Sequence, residues 1–389
     1  MKIVNIETFI VDAGWRPWTF VKVETDEGIT GFGECTSRTP YGVAGAIQDL
    51  KRFLIGTDPR AYEMRFWDMY RATRSSRGGI AAGAIAGIEL ALVDIKARAL
   101  GISVVELFGG PTRESVRLYW SHCGSSRARV PEILGTPPIR TMEDITALGR
   151  EVVRRGFTAL KTNTVIPGDP SSVYGFGVSG GPGTTDQVIT TPMLRHIETL
   201  IGTFRDAVGP DVDINLDINF HFKPESCMRI AKVLEQFNML WLEIDNHDPK
   251  ALLQIKESTT TRICSGETLH HMREYLPFFD LHAADVFMLD IQWNGFSQSK
   301  KVAELAEVFQ LNVAPHNFNS HLGSFIAASL CAVVPNVRIM EIDIDDVAWK
   351  DDLVTNAPEI INGRMTVPTG LGWGTELNEE VIKEHLRKA

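Results

Sequence analysis

Cysteine and long apolar runs are both scarce in this chain of 389 residues. The five cysteines (Cys35, Cys123, Cys227, Cys264 and Cys331) are scattered and form no C-x-x-C pair, which excludes a disulfide framework and a cysteine zinc site. Nothing approaches the run of about 18 apolar residues that a membrane span needs. The N-terminus lacks the apolar segment and cleavage site of a secretory signal. We therefore expect a cytoplasmic protein with buried thiols.

Positively charged residues are also fewer than negatively charged ones. Lys and Arg number 39 against 49 Asp and Glu, and the formal net charge is -10. A nucleic-acid-binding surface needs clustered cations that replace the counterions of the phosphates, so neither nucleic acid nor a membrane is expected as a partner. Hydrophobic residues make up 44% and charged residues 23% of the chain, as is usual for a folded protein with a sizeable core.

The first part of the chain, residues 1–113, predicts a small α+β domain. Residues 2–11, 19–25 and 29–34 are rich in β-branched and aromatic residues, which favours strands. Residues 42–101 have helical spacing, and their Ala-rich part at 80–100 would let other elements approach closely. A Gly-Gly-Pro sequence at 109–111 then interrupts the pattern.

A repeat dominates the rest of the chain. Short β-rich runs, most of them followed by an amphipathic helix, end at polar residues that are 26, 24, 23, 26 and 25 residues apart: Asp217, Glu243, Glu267, Asp290, His316 and Glu341. The upstream runs at 116–123 and 158–163 bring the number of strands to eight. Repeated βα units of this length give a parallel sheet, and eight of them favour a closed (β/α)₈ barrel over an open doubly wound sheet. We assign the barrel to residues 114–364 and a return to the N-terminal domain, with a final helix, to residues 365–389.

One connection between barrel strands is longer than this interval. Residues 164–191 are rich in Gly, Pro and Ser and follow the second barrel strand. The segment is predicted to be a long loop at the same end of the barrel as the other strand ends. It could fold over a substrate or be a disordered insertion.

The strand ends of such a barrel meet at one mouth, and three consecutive strands bring Asp217, Glu243 and Glu267 there. Three carboxylates this close repel one another, and a divalent cation with hard oxygen ligands removes that cost. The spacing therefore predicts a Mg²⁺ site, with Mn²⁺ as the other possibility.

The next two strands bring Asp290 and His316 within hydrogen-bonding reach, so that the carboxylate can orient the imidazole as a catalytic base. Lys161, at the end of the second strand, lies on the opposite side of the mouth. There an ammonium group can hold a substrate carboxylate or act with a lowered pKa.

These motifs resemble the enolase superfamily, in its mandelate racemase-like subgroup. The resemblance covers essentially the whole chain and includes three metal-ligand positions, the His–Asp pair and several shorter matches: 161–163, 217–219, 243, 265–267, 290, 315–316, 341, 91–96, 109–110 and 370–372. It implies that a base removes the proton α to a substrate carboxylate, with Mg²⁺ stabilising the anion. It also implies a capping domain that selects the substrate.

The resemblance gives each of these residues a role. Asp217, Glu243 and Glu267 would bind the metal, His316 with Asp290 would be the base, and Lys161 would face it. Glu341 would donate a hydrogen bond to the substrate carboxylate if protonated. Racemases of this subgroup carry a second lysine where this chain has Asn163, so two-base racemisation is disfavoured. The expected reaction is dehydration of an aldonate or aldarate to a 2-keto-3-deoxy sugar acid.

Other functions stay open at this point. The same machinery would serve a sugar-acid lactone cycloisomerase or an epimerase, and a non-catalytic barrel or an unrelated metal-dependent aldolase or hydrolase is the more distant possibility. We also expect a homo-oligomer. The further candidate residues are a second acid catalyst, His221, and the substrate contacts Asn163, Asn219, Glu341, His122, Arg38, Tyr41 and Trp18.

Overall fold

The computed structural model describes residues 1–175 and 182–388. Its strands are β1 (Ile3–Asp12), β2 (Pro17–Thr25), β3 (Thr30–Glu34), β4 (Ser115–Ser121), β5 (Ala159–Thr162), β6 (Val165–Ile166), β7 (Ser172–Val173), β8 (Asp213–Asp217), β9 (Trp241–Glu243), β10 (Ile263–Ser265), β11 (Val286–Asp290), β12 (Asn312–His316), β13 (Met340–Asp343), β14 (Ile360–Ile361) and β15 (Arg364–Thr366).

The α-helices are α1 (Pro40–Lys51), α2 (Tyr62–Ala72), α3 (Gly79–Leu100), α4 (Val104–Leu107), α5 (Ser125–Arg129), α6 (Pro131–Leu134), α7 (Met142–Arg154), α8 (Thr191–Val208), α9 (Pro224–Leu234), α10 (Pro249–Glu257), α11 (His271–Asp280), α12 (Ile291–Asn294), α13 (Phe296–Val308), α14 (His321–Val333) and α15 (Glu379–Glu384). Two 3₁₀ helices cover Glu235–Phe237 and Asp351–Leu353.

The N-terminal domain is an antiparallel sheet, β1-β2-β3, lying on the long helix α3. Glycines on the facing strand allow this close contact: a Cβ atom on Gly33 would lie 2.1 Å from the carbonyl oxygen of Gly87. The helix is buried on nearly all sides because it also packs against α1, α2 and the barrel helix α12. The small residues of the Ala-rich segment thus join the cap to the barrel.

Eight parallel strands form the barrel, in the order β12-β11-β10-β9-β8-β5-β4 with β13 on the other side of β4. A parallel bridge between Val313 and Val337 joins β12 to the segment that leads into β13 and closes the cylinder. The predicted barrel is confirmed and the open sheet was the wrong alternative. Its interior is filled by side chains such as Tyr119, Trp241 and Met288. The barrel is therefore a packed core that closes the bottom of the mouth, and not an open channel.

The C-terminal part of the chain first pairs with a barrel strand and then packs against the cap. β15 pairs antiparallel with β4, and the Trp373 indole N–H then donates to the Phe32 carbonyl oxygen at 2.8 Å. Val11 of β1 forms a bridge with Leu386. The division of the chain at 113/114 and 364/365 stays a prediction.

The described part of the long connection after β5 contains two short strands. β6 and β7 form a small antiparallel ribbon, and the Tyr174 ring stacks on the Phe222 ring at 5.1 Å. Residues 176–181 of the predicted loop lie outside the described residues. The described part of the loop therefore packs against the segment that follows β8.

All five cysteines are buried thiols. Within residues 1–175 and 182–388, every helix is too short or too polar to cross a membrane.

Candidate active site

The predicted chemistry-bearing residues meet at the carboxyl end of the barrel. Asp217 and Glu243 are the last residues of β8 and β9 and pair in register, as do Asp290 and His316 at the ends of β11 and β12. Glu267 follows β10 by two residues, between these two pairs. Parallel strands in register turn the even spacing in the sequence into a ring of polar groups.

Of the three candidate metal ligands, Asp217 and Glu243 are buried and Glu267 is half-buried, and each carboxylate has defined partners. Glu243 is 2% exposed and accepts hydrogen bonds from Lys161 Nζ at 3.0 Å and the Trp241 indole at 3.1 Å. Asp217 Oδ2 accepts from the side-chain amides of Asn163 at 3.1 Å and Asn219 at 3.0 Å. These contacts hold the acid groups at the centre of the mouth.

Burial and crowding make these carboxylates costly to ionise. Burial is the largest influence on Glu243 and, with the nearby Asp217 carboxylate, raises its pKa to about 8 against the opposing field of Lys161. Burial likewise raises the pKa of Glu267. Crowded, desolvated acids of this kind are stabilised by added positive charge.

The donor set fits a hard divalent cation by its chemistry. All three ligands offer carboxylate oxygens from adjacent strands, the donors that Mg²⁺ prefers. Among the described residues, no three His, Cys, Asp or Glu side chains surround one point as a finished ligand cage. Instead, the carboxylate of Glu243 is turned toward the Lys161 ammonium, which supplies the compensating charge.

His316 and Asp290 form the expected pair. His316 Nδ1 lies 2.6 Å from Asp290 Oδ2, which leaves Nε2 directed to the mouth, 3.5 Å from Glu267 Oε2. The other oxygen of Asp290 accepts from the Trp293 backbone N–H at 3.0 Å and caps α12, so the carboxylate is fixed on both sides.

The carboxylates around His316 raise the affinity of its imidazole for a proton. Burial alone would lower the pKa of His316, but the carboxylates around it, Glu267 and Glu341 foremost, raise that pKa well above its usual value. An imidazole in this field accepts a proton readily.

Lys161 and Glu341 form a buried ion pair next to His316, whose Nε2 lies 3.9 Å from Glu341 Oε2. Lys161 Nζ lies 2.8 Å from Glu341 Oε1, and the two side chains are 2% and 0% exposed. Although burial raises the pKa of Glu341, Lys161 and His316 outweigh it and lower the value to about 2. In this arrangement Glu341 is the ionised partner of Lys161 rather than a protonated donor, and its contact with a substrate carboxylate stays a prediction. The carboxylate accepts instead, including from the Asn317 backbone N–H at 2.9 Å.

The residues around Asp217 depart from the expected strand. β8 ends at Asp217, Asn219 has a φ of +47°, and the His221 N–H donates back to the Ile218 carbonyl oxygen at 3.2 Å. The chain turns here, so the premise that His221 shares a strand face with Asp217 is wrong. The imidazole still lies near Asp217, and burial lowers its pKa.

Asn163 and Asn219 use their amide N–H groups to hold Asp217, rather than leaving them free for a substrate. His122 closes the first strand with a φ of +48°. Its Nδ1 lies 2.8 Å from Asp343 Oδ1, and its ring packs against Phe318 at 4.7 Å. Both asparagines and the histidine thus belong to the rim of the mouth, and their contact with a substrate stays a prediction.

The three cap residues differ in position. Trp18 is fully buried on β2 and packs edge-on against Trp349 at 5.6 Å, so its prediction as a substrate contact is wrong. Trp18 to Val21 are all buried, so both faces of β2 are covered at this point. The Tyr41 hydroxyl lies 3.4 Å from the Lys388 carbonyl oxygen, next to the C-terminal segment rather than the ring of polar groups. Arg38 lies near the mouth, because the Thr36 carbonyl oxygen accepts from the Trp293 indole at 2.9 Å.

Sequence reasoning missed Asp245. This residue follows Glu243 by two positions, is 9% exposed, and its Oδ1 is buried without a hydrogen-bond partner in the described part of the chain. Burial and the Glu267 carboxylate raise its pKa well above the usual range. Its place two residues after Glu243, the last residue of β9, was the signal that could have found it.

Arg16 was missed as well. Its guanidinium bonds Asp343 Oδ2 at 2.8 Å and lies 4.1 Å from the centre of the Phe318 ring, which attaches a loop of the cap to the end of β13. The partners are 327 residues apart in sequence. No local pattern could have indicated this contact.

Comparisons with known proteins agree with this architecture. Residues 6–109 match the family model of the mandelate racemase / muconate lactonizing enzyme N-terminal domain, and residues 144–381 match the enolase C-terminal domain-like model. The chain therefore belongs to the mandelate racemase / muconate lactonizing enzyme group of the enolase superfamily. The resemblance inferred from the motifs is confirmed.

Three similar proteins show the range of chemistry among relatives. D-xylonate dehydratase of Haloferax volcanii is 28% identical over 99% of this chain and 89% of its own length. D-gluconate dehydratase of Thermoproteus tenax is 30% identical, over 96% of this chain and 71% of its own length. A solved structure from Burkholderia xenovorans strain LB400, whose name assigns it L-alanine-DL-glutamate epimerase activity, is bound to magnesium and fumarate. It is 40% identical, with a TM-score of 0.96 over 100% of this chain and 97% of that one.

Proposed function

We propose that this protein is a Mg²⁺-dependent sugar-acid dehydratase that converts an aldonate or aldarate to a 2-keto-3-deoxy acid. The observation that carries the proposal is the single oriented base of the mouth. His316 is fixed by Asp290. Asn163 occupies the sequence position at which racemases of this subgroup carry a second lysine, and its amide binds Asp217. The names of the Haloferax and Thermoproteus relatives support the same reaction class.

Asp217, Glu243 and Glu267 would hold the cation in this proposal. Bound there, Mg²⁺ supplies positive charge against the negative charge that develops on the substrate carboxylate. Asn163 and Asn219 keep Asp217 oriented, and Lys161 keeps a fixed ammonium beside Glu243 and Glu341. A substrate carboxylate that binds here meets charged groups that are already fixed in position, so the protein side chains need little rearrangement.

The proton inventory of the reaction is simple. His316 Nε2 takes the proton from C2, and the hydroxyl on C3 leaves as water after receiving a proton from His316 or His221. The resulting enol becomes the 2-keto acid when C3 takes up a proton and the enol hydroxyl on C2 loses one. No oxidant or second substrate is required, and substrate and products differ by one water.

Epimerisation is the alternative that the name of the Burkholderia relative suggests. It requires a base on each face of the substrate carbon. The group opposite His316 is Lys161, and its ammonium is engaged by two buried carboxylates at 3.0 and 2.8 Å. That contact favours a role in holding charge over one in abstracting a proton.

A substrate panel tests the proposal. With Mg²⁺, at least one member of a set of C4–C6 aldonates and aldarates is expected to give a product that reacts with semicarbazide. EDTA should abolish turnover and added Mg²⁺ should restore it. Inversion at C2 without a keto product would instead establish an epimerase. Turnover that is indifferent to EDTA would contradict the metal assignment.

A further inference from the structure

A second histidine–carboxylate pair lies at the mouth, formed by His122 and Asp343. The Nδ1 atom of His122 lies 2.8 Å from Asp343 Oδ1, and Asp343 Oδ2 accepts from the Arg16 guanidinium at 2.8 Å. The pair of His316 and Asp290 has the same form, since there too Nδ1 faces a carboxylate oxygen. An imidazole oriented in this way is suited to transfer a proton through its other nitrogen.

The hydrogen bonds around His122 determine which of its nitrogens holds a fixed proton. Although burial raises the pKa of Asp343, the neighbours His122 and Arg16 outweigh burial and hold that pKa well below its usual range, so Asp343 only accepts. The Ser121 hydroxyl lies 3.0 Å from Nδ1 and donates its one proton to the ionised Glu341 carboxylate. Because neither neighbour has a proton to give, Nδ1 is the N–H that donates to Asp343.

The Nε2 atom of His122 is therefore the nitrogen that a substrate can reach. It makes no hydrogen bond to residues 1–175 or 182–388 and is not sealed from solvent, although the side chain is only 12% exposed. The Phe318 ring packs against the imidazole with 4.7 Å between the ring centres. Phe318 and Asp343 thus hold the ring in one orientation and leave one nitrogen free.

Glu341 lies between this pair and the base. One of its oxygens accepts from Ser121, the residue before His122, and the other lies 3.9 Å from His316 Nε2. The strand order agrees, because β13, which carries Glu341, pairs with β4 on one side and borders β12 on the other. Two imidazoles that border one carboxylate are suited to act on adjacent carbons of a substrate, rather than on opposite faces of one carbon.

His316 and His221 are the other imidazoles near the reacting carbons. His316 is occupied in taking the proton from C2, and burial lowers the pKa of His221, which makes that side chain a poor source of protons. An imidazolium at position 122, in contrast, has the Asp343 carboxylate beside it as a counter-ion at 2.8 Å. These contacts favour His122 as the donor to the leaving group.

We propose that His122 is the general acid of the dehydration and that its Nε2–H gives the C3 hydroxyl the proton with which it leaves as water. This inference rests on the proposed dehydratase function and names the group that completes it. His316 takes the C2 proton, the electron pair of the broken C2–H bond ends in the C2–C3 double bond, and the C3–O bond breaks. His316 then loses its proton to solvent and His122 regains one, so substrate and product differ by one water.

The His122→Asn variant separates the two proton transfers. Asparagine keeps an N–H donor toward Asp343 and readily adopts the φ of +48° found at this position. Dehydration is expected to fall about 1,000-fold in kcat, within the range for loss of a general acid. Exchange of the C2 proton with deuterium should be retained, because His316 is intact. A 3-deoxy-3-fluoro analogue of the best substrate should be affected far less than the substrate itself, because fluoride leaves without first taking up a proton.

His282→Asn is the matched control, since His282 is exposed, has a φ of +49°, and should keep both activities when replaced. A wild type that dehydrates no acid would overturn both the proposed function and this inference. A wild type that dehydrates an acid while His122→Asn does so equally well would overturn the inference alone. Equal loss of dehydration and C2 exchange in His122→Asn would also overturn it, because the residue would then only support the mouth. Loss of dehydration with retained exchange in His221→Asn would assign the proton to His221 instead.

Discussion

The His316→Asn variant is expected to lower kcat about 1,000-fold, which lies within the range for loss of a general base. Asparagine keeps a hydrogen-bond donor toward Asp290, whose Oδ2 lies 2.6 Å from His316 Nδ1 in the wild type, but has no group that takes up a proton at neutral pH. The metal ligands are unchanged, so Mg²⁺ affinity should stay within about threefold. The measurements are turnover and the exchange of the substrate C2 proton with deuterium, followed by NMR in D₂O.

His282→Asn is the matched control. His282 is exposed and has a φ of +49°, a conformation that asparagine also adopts readily. Its activity should equal that of the wild type. Undiminished C2 exchange in His316→Asn would place the base elsewhere and contradict the assigned pair.

The Lys161→Met variant is expected to lose about 3 kcal/mol of folding free energy, together with most of its activity. Removing one member of a buried ion pair leaves its partners uncompensated, and here the partners are Glu243 and Glu341, both at most 2% exposed. Because the uncompensated charge in the variant is negative, millimolar Mg²⁺ should raise the thermal stability of the variant more than that of the wild type. Differential scanning calorimetry with and without Mg²⁺ measures this directly.

A surface pair provides the comparison for Lys161. Lys256 lies 3.1 Å from Asp285 with both groups partly exposed, so Lys256→Met should cost less than about 1 kcal/mol and show no special response to Mg²⁺. If Lys161→Met were as stable as the wild type, the buried charges would be compensated by some other group, and the proposed role of Lys161 would be wrong.

Local patterns were sufficient to predict the barrel and its ring of polar residues. Each strand end recurs after a nearly constant interval, and parallel register then brings Asp217 beside Glu243 and Asp290 beside His316. Such positions depend on periodicity, which a single sequence displays. The resemblance to the enolase superfamily was inferred from the same residues.

Features that depend on distant contacts were not predictable. The ionisation of Glu341 is set by Lys161 and His316, which belong to other strands, and the attachment of Arg16 to Asp343 joins opposite ends of the chain. Trp18 was misplaced because a strand residue beside a loop can face either the core or the mouth, and only tertiary packing decides between them.

Titration with Mn²⁺, followed by electron paramagnetic resonance, most directly tests whether Asp217, Glu243 and Glu267 share one cation. One Mn²⁺ ion should bind per wild-type chain and be displaced by Mg²⁺, and Glu243→Gln should weaken binding at least about 100-fold. Asp285→Asn, a carboxylate outside the mouth, should bind as the wild type does. Wild-type affinity in Glu243→Gln, or a stoichiometry unaffected by removing all three carboxylates, would contradict the account.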